Sequence, residues 1–84
     1  MNGNYCFTVT QYTYTDDDVI GKDIVRKEHL SLPQALTELT EYCMNHPNCY
    51  ATNDGFLSEH DDDPIFGLSD INQQWSAQIS EIEE

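Results

Sequence analysis

Apolar and polar positions alternate from the start of the chain. Over Asn4–Tyr14, Tyr5, Phe7 and Val9 fall on one side and Cys6, Thr8, Thr10 and Tyr12 on the other, the period of two that a half-buried strand requires. Aromatic, Thr and Val side chains also suit a pleated surface. Asp16-Asp17-Asp18 interrupts the run as a turn. Val19–Glu28 resumes as a second strand, with Ile20, Lys22, Ile24 and Arg26 on one side and Val25 opposite. The short polar connection predicts a β-hairpin.

The period then changes. Leu32, Leu36, Leu39 and Cys43, joined by Ala35 and Tyr42, recur at helical spacing, while Thr37, Glu38, Glu41 and Asn45 face outward. Ser31-Leu-Pro-Gln34 has the form of a capping box, in which hydroxyl and amide satisfy free backbone donors. Pro33 suits a first turn, where a missing N–H costs nothing, and Pro47 ends the helix at or just after Asn45. Cys49–Thr52 and Phe56–Ser58 flank Asn53-Asp54-Gly55, which predicts a second tight hairpin or a strand followed by a turn. Glu59–Pro64 reads as an exposed loop. Ser69 caps an expected last helix, with Asp70 against its N-terminal dipole. Ile71, Trp75, Ile79 and Ile82 supply its apolar stripe, with Trp75 in the core. The expected architecture is a single α+β domain over residues 1–84. Its antiparallel sheet, the N-terminal hairpin plus a short β segment, packs with two helices.

Charge narrows the function classes. The 84-residue chain has 16 acidic side chains against three basic ones, for a net charge of −13. Lys22, Arg26 and Lys27 are the only cations, and residues 28–84 hold twelve of the acids and no base. Direct binding to a nucleic-acid backbone is not expected, because that affinity rests on Lys and Arg neutralising phosphates. No apolar run approaches the ~20 residues of a membrane span. No basic stretch followed by an apolar core opens the chain, so a signal peptide is not expected and the anticipated location is the cytoplasm. Three cysteines, Cys6, Cys43 and Cys49, are an odd number that fits reduced thiols in that compartment.

Motifs for chemistry are sparse. There is no Gly-x-Ser-x-Gly, His-Glu-x-x-His or phosphate-cradling glycine loop, so no enzyme and no cofactor are expected. Cys43-x-x-His46-x-x-Cys49 offers three zinc-type ligands, with Cys6 or His60 as a fourth, but lacks the usual paired spacing. Cys43 lies on the apolar stripe, which favours burial as a small hydrophobe. Neither Asp16–Asp18 nor Asp61–Asp63 has the spacing of a calcium-binding EF-hand loop.

The acidic surface is the main candidate for function. Asp16, Asp17, Asp18, Glu38, Glu41, Glu59, Asp61, Asp62 and Asp63 are the expected contact residues, with Tyr12 and Tyr14 as aromatic anchors on the strand face opposite Phe7. Carboxylates three or four apart on a helix stand about 5–6 Å apart at Cβ, and alternate strand residues roughly 6.6 Å apart. Both spacings are comparable with that of neighbouring phosphates along a DNA strand. A surface built only for solubility usually mixes signs; residues 28–84 do not. In this general character the chain resembles the small acidic inhibitors of phages and mobile elements, including anti-CRISPR and anti-restriction DNA mimics. The resemblance is one of composition and carries over no residue role. It implies an acidic inhibitor that occupies the basic nucleic-acid-binding site of a partner protein. The alternatives are a protein–protein adaptor or immunity-type protein that does not imitate nucleic acid, and a small zinc-binding domain. Self-repulsion at −13 destabilises the compact state, and salt screens exposed charges over ~8 Å at physiological ionic strength. Added sodium chloride is therefore expected to raise the melting temperature, followed by circular dichroism; a fall would contradict this.

Overall fold

A computed structural model describes residues 3–52 and 63–82. β1 (Tyr5–Tyr14) and β2 (Val19–Leu30) form the expected hairpin, and α1 (Leu32–Asn45) follows. The capping box at Ser31 is present in full: Ser31 Oγ accepts from Gln34 N–H at 3.3 Å, and Gln34 Oε1 from Ser31 N–H at 2.9 Å. β3 (Cys49–Ala51), β4 (Asp63–Asp70) and β5 (Trp75–Glu81) complete one antiparallel sheet in the order β2-β1-β5-β4-β3. The helix links the two edge strands and packs on the central pair.

The expected C-terminal helix does not exist. Its residues form the end of β4, a turn at 71–74 and β5, so the sheet packs with one described helix and not two. The spacing of four that suggested a helix is also an even number, and so keeps residues on one face of a strand. The deciding pattern lies between the isoleucines. Trp75, Ala77 and Ile79 alternate with Ser76, Gln78 and Ser80, small or polar residues that give a helix no apolar stripe. Gln73, at φ 57°, turns the chain from β4 into β5. Asp63 and Pro64, expected in a loop, belong to β4. The Asn53-Asp54-Gly55 turn and the Phe56–Ser58 segment lie outside the described residues.

Register explains the core. β1 pairs with β5 without a bulge, Phe7 opposite Ile79 and Val9 opposite Ala77. These four, with Ala35 and Leu39 from α1, form the buried cluster. Tyr42 and Trp75 pack against its margin. On the other face, Cys6, Thr8, Thr10, Ser76, Gln78 and Ser80 are also buried. Longer side chains reach across them: Thr10 Oγ1 donates to Asp23 Oδ1 at 2.8 Å, Tyr12 OH and Ser76 Oγ share a hydrogen bond of 2.6 Å, and Arg26 Nη1 donates to Thr8 Oγ1 at 3.4 Å.

β2 differs from its expected face pattern. A register shift between Val9 and Thr10 makes Arg26 the partner of Thr8 but Lys22 the partner of Gln11. Lys22 and Arg26 therefore sit on opposite faces, because an extra residue reverses the alternation. A second shift, between Tyr5 and Phe7, falls beside His29, whose φ is 59°.

Two isoleucines separate burial from residue type. Ile79 is fully buried and Ile24 is half exposed. Ile79→Ala is expected to cost about 3 kcal/mol in urea unfolding, and Ile24→Ala less than about 0.5 kcal/mol. Equal losses would remove the central pair from its assigned place in the core.

Candidate functional site

The first candidate surface is the hairpin tip. β5 begins at Trp75, opposite Gln11, whereas β1 continues to Tyr14, opposite Val19. The hairpin thus projects beyond the sheet. Its turn is held by local bonds: Thr15 N–H donates to the Asp18 carbonyl at 2.9 Å, Thr15 Oγ1 accepts from Asp18 N–H at 3.0 Å, and Asp18 Oδ1 accepts from Val19 N–H at 2.8 Å. Asp16, Asp17 and Asp18 are all exposed at this ordered tip. Behind it, Tyr14 is 47% exposed and donates its hydroxyl proton to the Gln73 carbonyl, which ties the hairpin to the β4–β5 turn. Tyr12 is half-buried and engaged with Ser76.

Among the described residues, the other acidic contacts expected are not gathered at the tip. Glu38 and Glu41 lie on α1, where Glu38 Oε2 pairs with Lys27 Nζ at 2.9 Å. Arg26 Nε pairs with Glu28 Oε1 at 2.7 Å. Asp63 sits opposite Glu81 at the other end of the sheet. Glu59, Asp61 and Asp62 lie outside the described residues.

The second candidate is a cleft of about 140 Å³ at the C-terminal end of α1, lined by His46, Pro47, Asn48, Asp70 and Trp75. Its aromatic wall is a three-ring cluster. Tyr42 stacks on His46 at 4.2 Å between centroids and 16° between planes. Trp75 meets Tyr42 edge-on at 4.9 Å and His46 at 5.5 Å. Asp70 is only 7% exposed, and its Oδ2 accepts from the Gln74 N–H at 3.1 Å. Sequence reasoning placed Asp70 at a helix N-terminus and Trp75 within a helical core, and so missed this cleft. A strand assignment for Trp75–Ser80 was the signal that could have brought them together.

Behind the rings, Cys43 Sγ and Cys49 Sγ share a hydrogen bond of 3.4 Å, and neither is in a disulfide. Burial pushes the Cys49 thiol up to about 11, helped by its bond to Cys43 and by the negative charges nearby, Asp70 among them. Burial and the Asp70 carboxylate also raise Tyr42 above its ordinary value. His46 is not placed with the two thiols as a metal set; its Nδ1 lies 3.1 Å from the Tyr42 carbonyl oxygen. Among the described residues, no group of three His, Cys, Asp or Glu side chains is placed to hold a metal ion, and no helix is long and apolar enough to cross a membrane.

Comparison with known families, curated proteins and solved structures finds no match to this chain.

The thiolate is the reactive form of cysteine. Alkylation of Cys49 by iodoacetamide, followed by peptide mass mapping, is therefore expected to be slow at pH 8. It should keep accelerating above pH 9, where an ordinary thiol levels off. A plateau near pH 9 would show that Cys49 is not held in this surrounding.

Proposed function

We propose that this chain is an acidic binding protein that occupies the nucleic-acid-binding site of a basic partner protein, as an inhibitor of DNA-mimic type. The observation that carries the proposal is the projecting hairpin, which ends in three exposed, consecutive aspartates on an ordered turn. A cationic groove shaped for a nucleic-acid strand admits a narrow, negatively charged projection more readily than a broad face. Arg and Lys side chains in such a groove would pair with the carboxylates by charge-assisted hydrogen bonds, and the field of a chain at −13 would accelerate encounter. Two of the three cations are already matched within the chain, Arg26 by Glu28 and Lys27 by Glu38. Little positive charge remains to oppose docking.

The test is capture of host proteins on the immobilised chain at low salt, followed by elution with duplex DNA or with RNA. Nucleic-acid-binding proteins are expected to be retained and then displaced by nucleic acid. The triple variant Asp16→Asn, Asp17→Asn, Asp18→Asn should associate more slowly with the captured partner and show a shallower dependence on salt. Retention that nucleic acid does not disturb would favour the adaptor alternative. Unchanged kinetics in the triple variant would exclude the tip as the contact.

A further inference from the structure

We infer that the cleft formed by His46, Asp70 and Trp75 is a binding site for a single arginine side chain presented by another protein. Its base is a carboxylate that burial leaves only 7% exposed. Taking a charge out of water is costly unless it is paired, yet the side chain of Asp70 accepts one hydrogen bond, from the Gln74 N–H. No Lys or Arg of the described residues reaches it. All three cations lie on β2, at the opposite edge of the sheet.

The surroundings increase the demand for positive charge. The cleft lies at the C-terminus of α1, where His46 is the cap and the last turn contains no basic residue. Carbonyls at a helix C-terminus carry about half a negative charge. The cleft therefore combines a full carboxylate charge with the negative end of a 14-residue helix. Its walls are the His46 and Trp75 rings, which meet at 65°. An indole face attracts a cation through its quadrupole. Guanidinium fits this combination better than ammonium, because it is planar, weakly hydrated, stacks on aromatic faces and can offer a carboxylate two parallel donors.

This site is separate from the hairpin tip and stands on its own geometry. It rests on the proposed function only in that a basic partner would supply the arginine. The cleft can be tested without any partner, so the two can fail independently.

The probe is acetyl-Gly-Arg-Gly-amide, titrated into the full chain while the fluorescence of Trp75, the only tryptophan, is followed. The citrulline analogue, equal in shape but uncharged, and the lysine analogue are controls at matched ionic strength. Saturable change with the arginine peptide is expected, with about tenfold weaker binding of the citrulline peptide, the scale of a lost charged hydrogen bond. Asp70→Asn keeps an acceptor for the Gln74 N–H but removes the charge, and should lose about the same factor. Its melting curve establishes that it is folded. If it is not, the citrulline comparison on the unaltered chain decides alone. A linear, non-saturating response would overturn the site, as would equal binding of the arginine and citrulline peptides or undiminished binding by folded Asp70→Asn. Lysine bound as tightly as arginine would overturn the assignment to guanidinium.

Discussion

The pairing of β1 with β5 is the constraint on which everything else rests. It joins the two ends of the described chain, with Tyr12 and Ser76 meeting across 64 positions of sequence, and it runs from Tyr5–Glu81 to Gln11–Trp75 without a bulge. Its register is enforced from both sides. A slip of β5 by one residue would turn Ala77 and Ile79 away from the helix and replace them with Ser76 and Gln78, while Phe7 and Val9 kept their places. Closing so long a loop costs chain entropy before any contact offsets it, so a short central strand must be well packed. The residues of β5 from Ser76 to Ser80 are all buried. Gln78 Nε2 donates to Ser80 Oγ at 3.3 Å, but Gln78 Oε1 is buried without a hydrogen-bond partner among the described residues. Such a group costs on the order of 1–3 kcal/mol, a large share of the stability of a small domain.

This dependence explains which parts of the fold were legible in the sequence. The N-terminal hairpin and α1 were, because their signals are local. Tyr5, Phe7 and Val9 alternate without ambiguity, and Ser31, Pro33 and Gln34 specify the helix start within four residues. β5 was not. Its isoleucine spacing fits helix and strand alike, and only the partner strand, far away in sequence, decides between them. The β2 bulges were hidden for a related reason. Nothing in Gly21–Glu28 announces an inserted residue, and Arg26 changes face only because Thr8 and Gln11 lie opposite. Of the candidate sites, the Asp16–Asp18 tip could be read directly from sequence, since a turn needs only its neighbours. The cleft could not, because it depends on β3, β4 and β5 being strands that gather under the end of α1.

The fold also sorts charge. All three cations lie on one edge strand, β2, where Glu28 and Glu38 answer Arg26 and Lys27. Toward the other edge, Asp70 and the carbonyl end of α1 face the cleft with no such answer among the described residues. A neutral Asn at this position could hold the same turn through its side-chain oxygen. Under the proposed arginine site, the charge of Asp70 would serve the ligand and its side-chain oxygen the turn.

As proposed contacts, the tip and the cleft would differ in what they contribute to recognition. Three exposed aspartates on a turn act through water and are screened by salt, so they favour fast encounter more than a long-lived complex. A half-enclosed cleft walled by His46 and Trp75 would act at short range, where burial strengthens each charged contact and a stacked guanidinium would be held in one orientation. Tyr14 connects them. Its hydroxyl reaches the Gln73 carbonyl in the turn that follows Asp70, so the hairpin is anchored to the loop that leads from the buried carboxylate to Trp75. The same central pairing that closes the fold thus holds both surfaces in one frame.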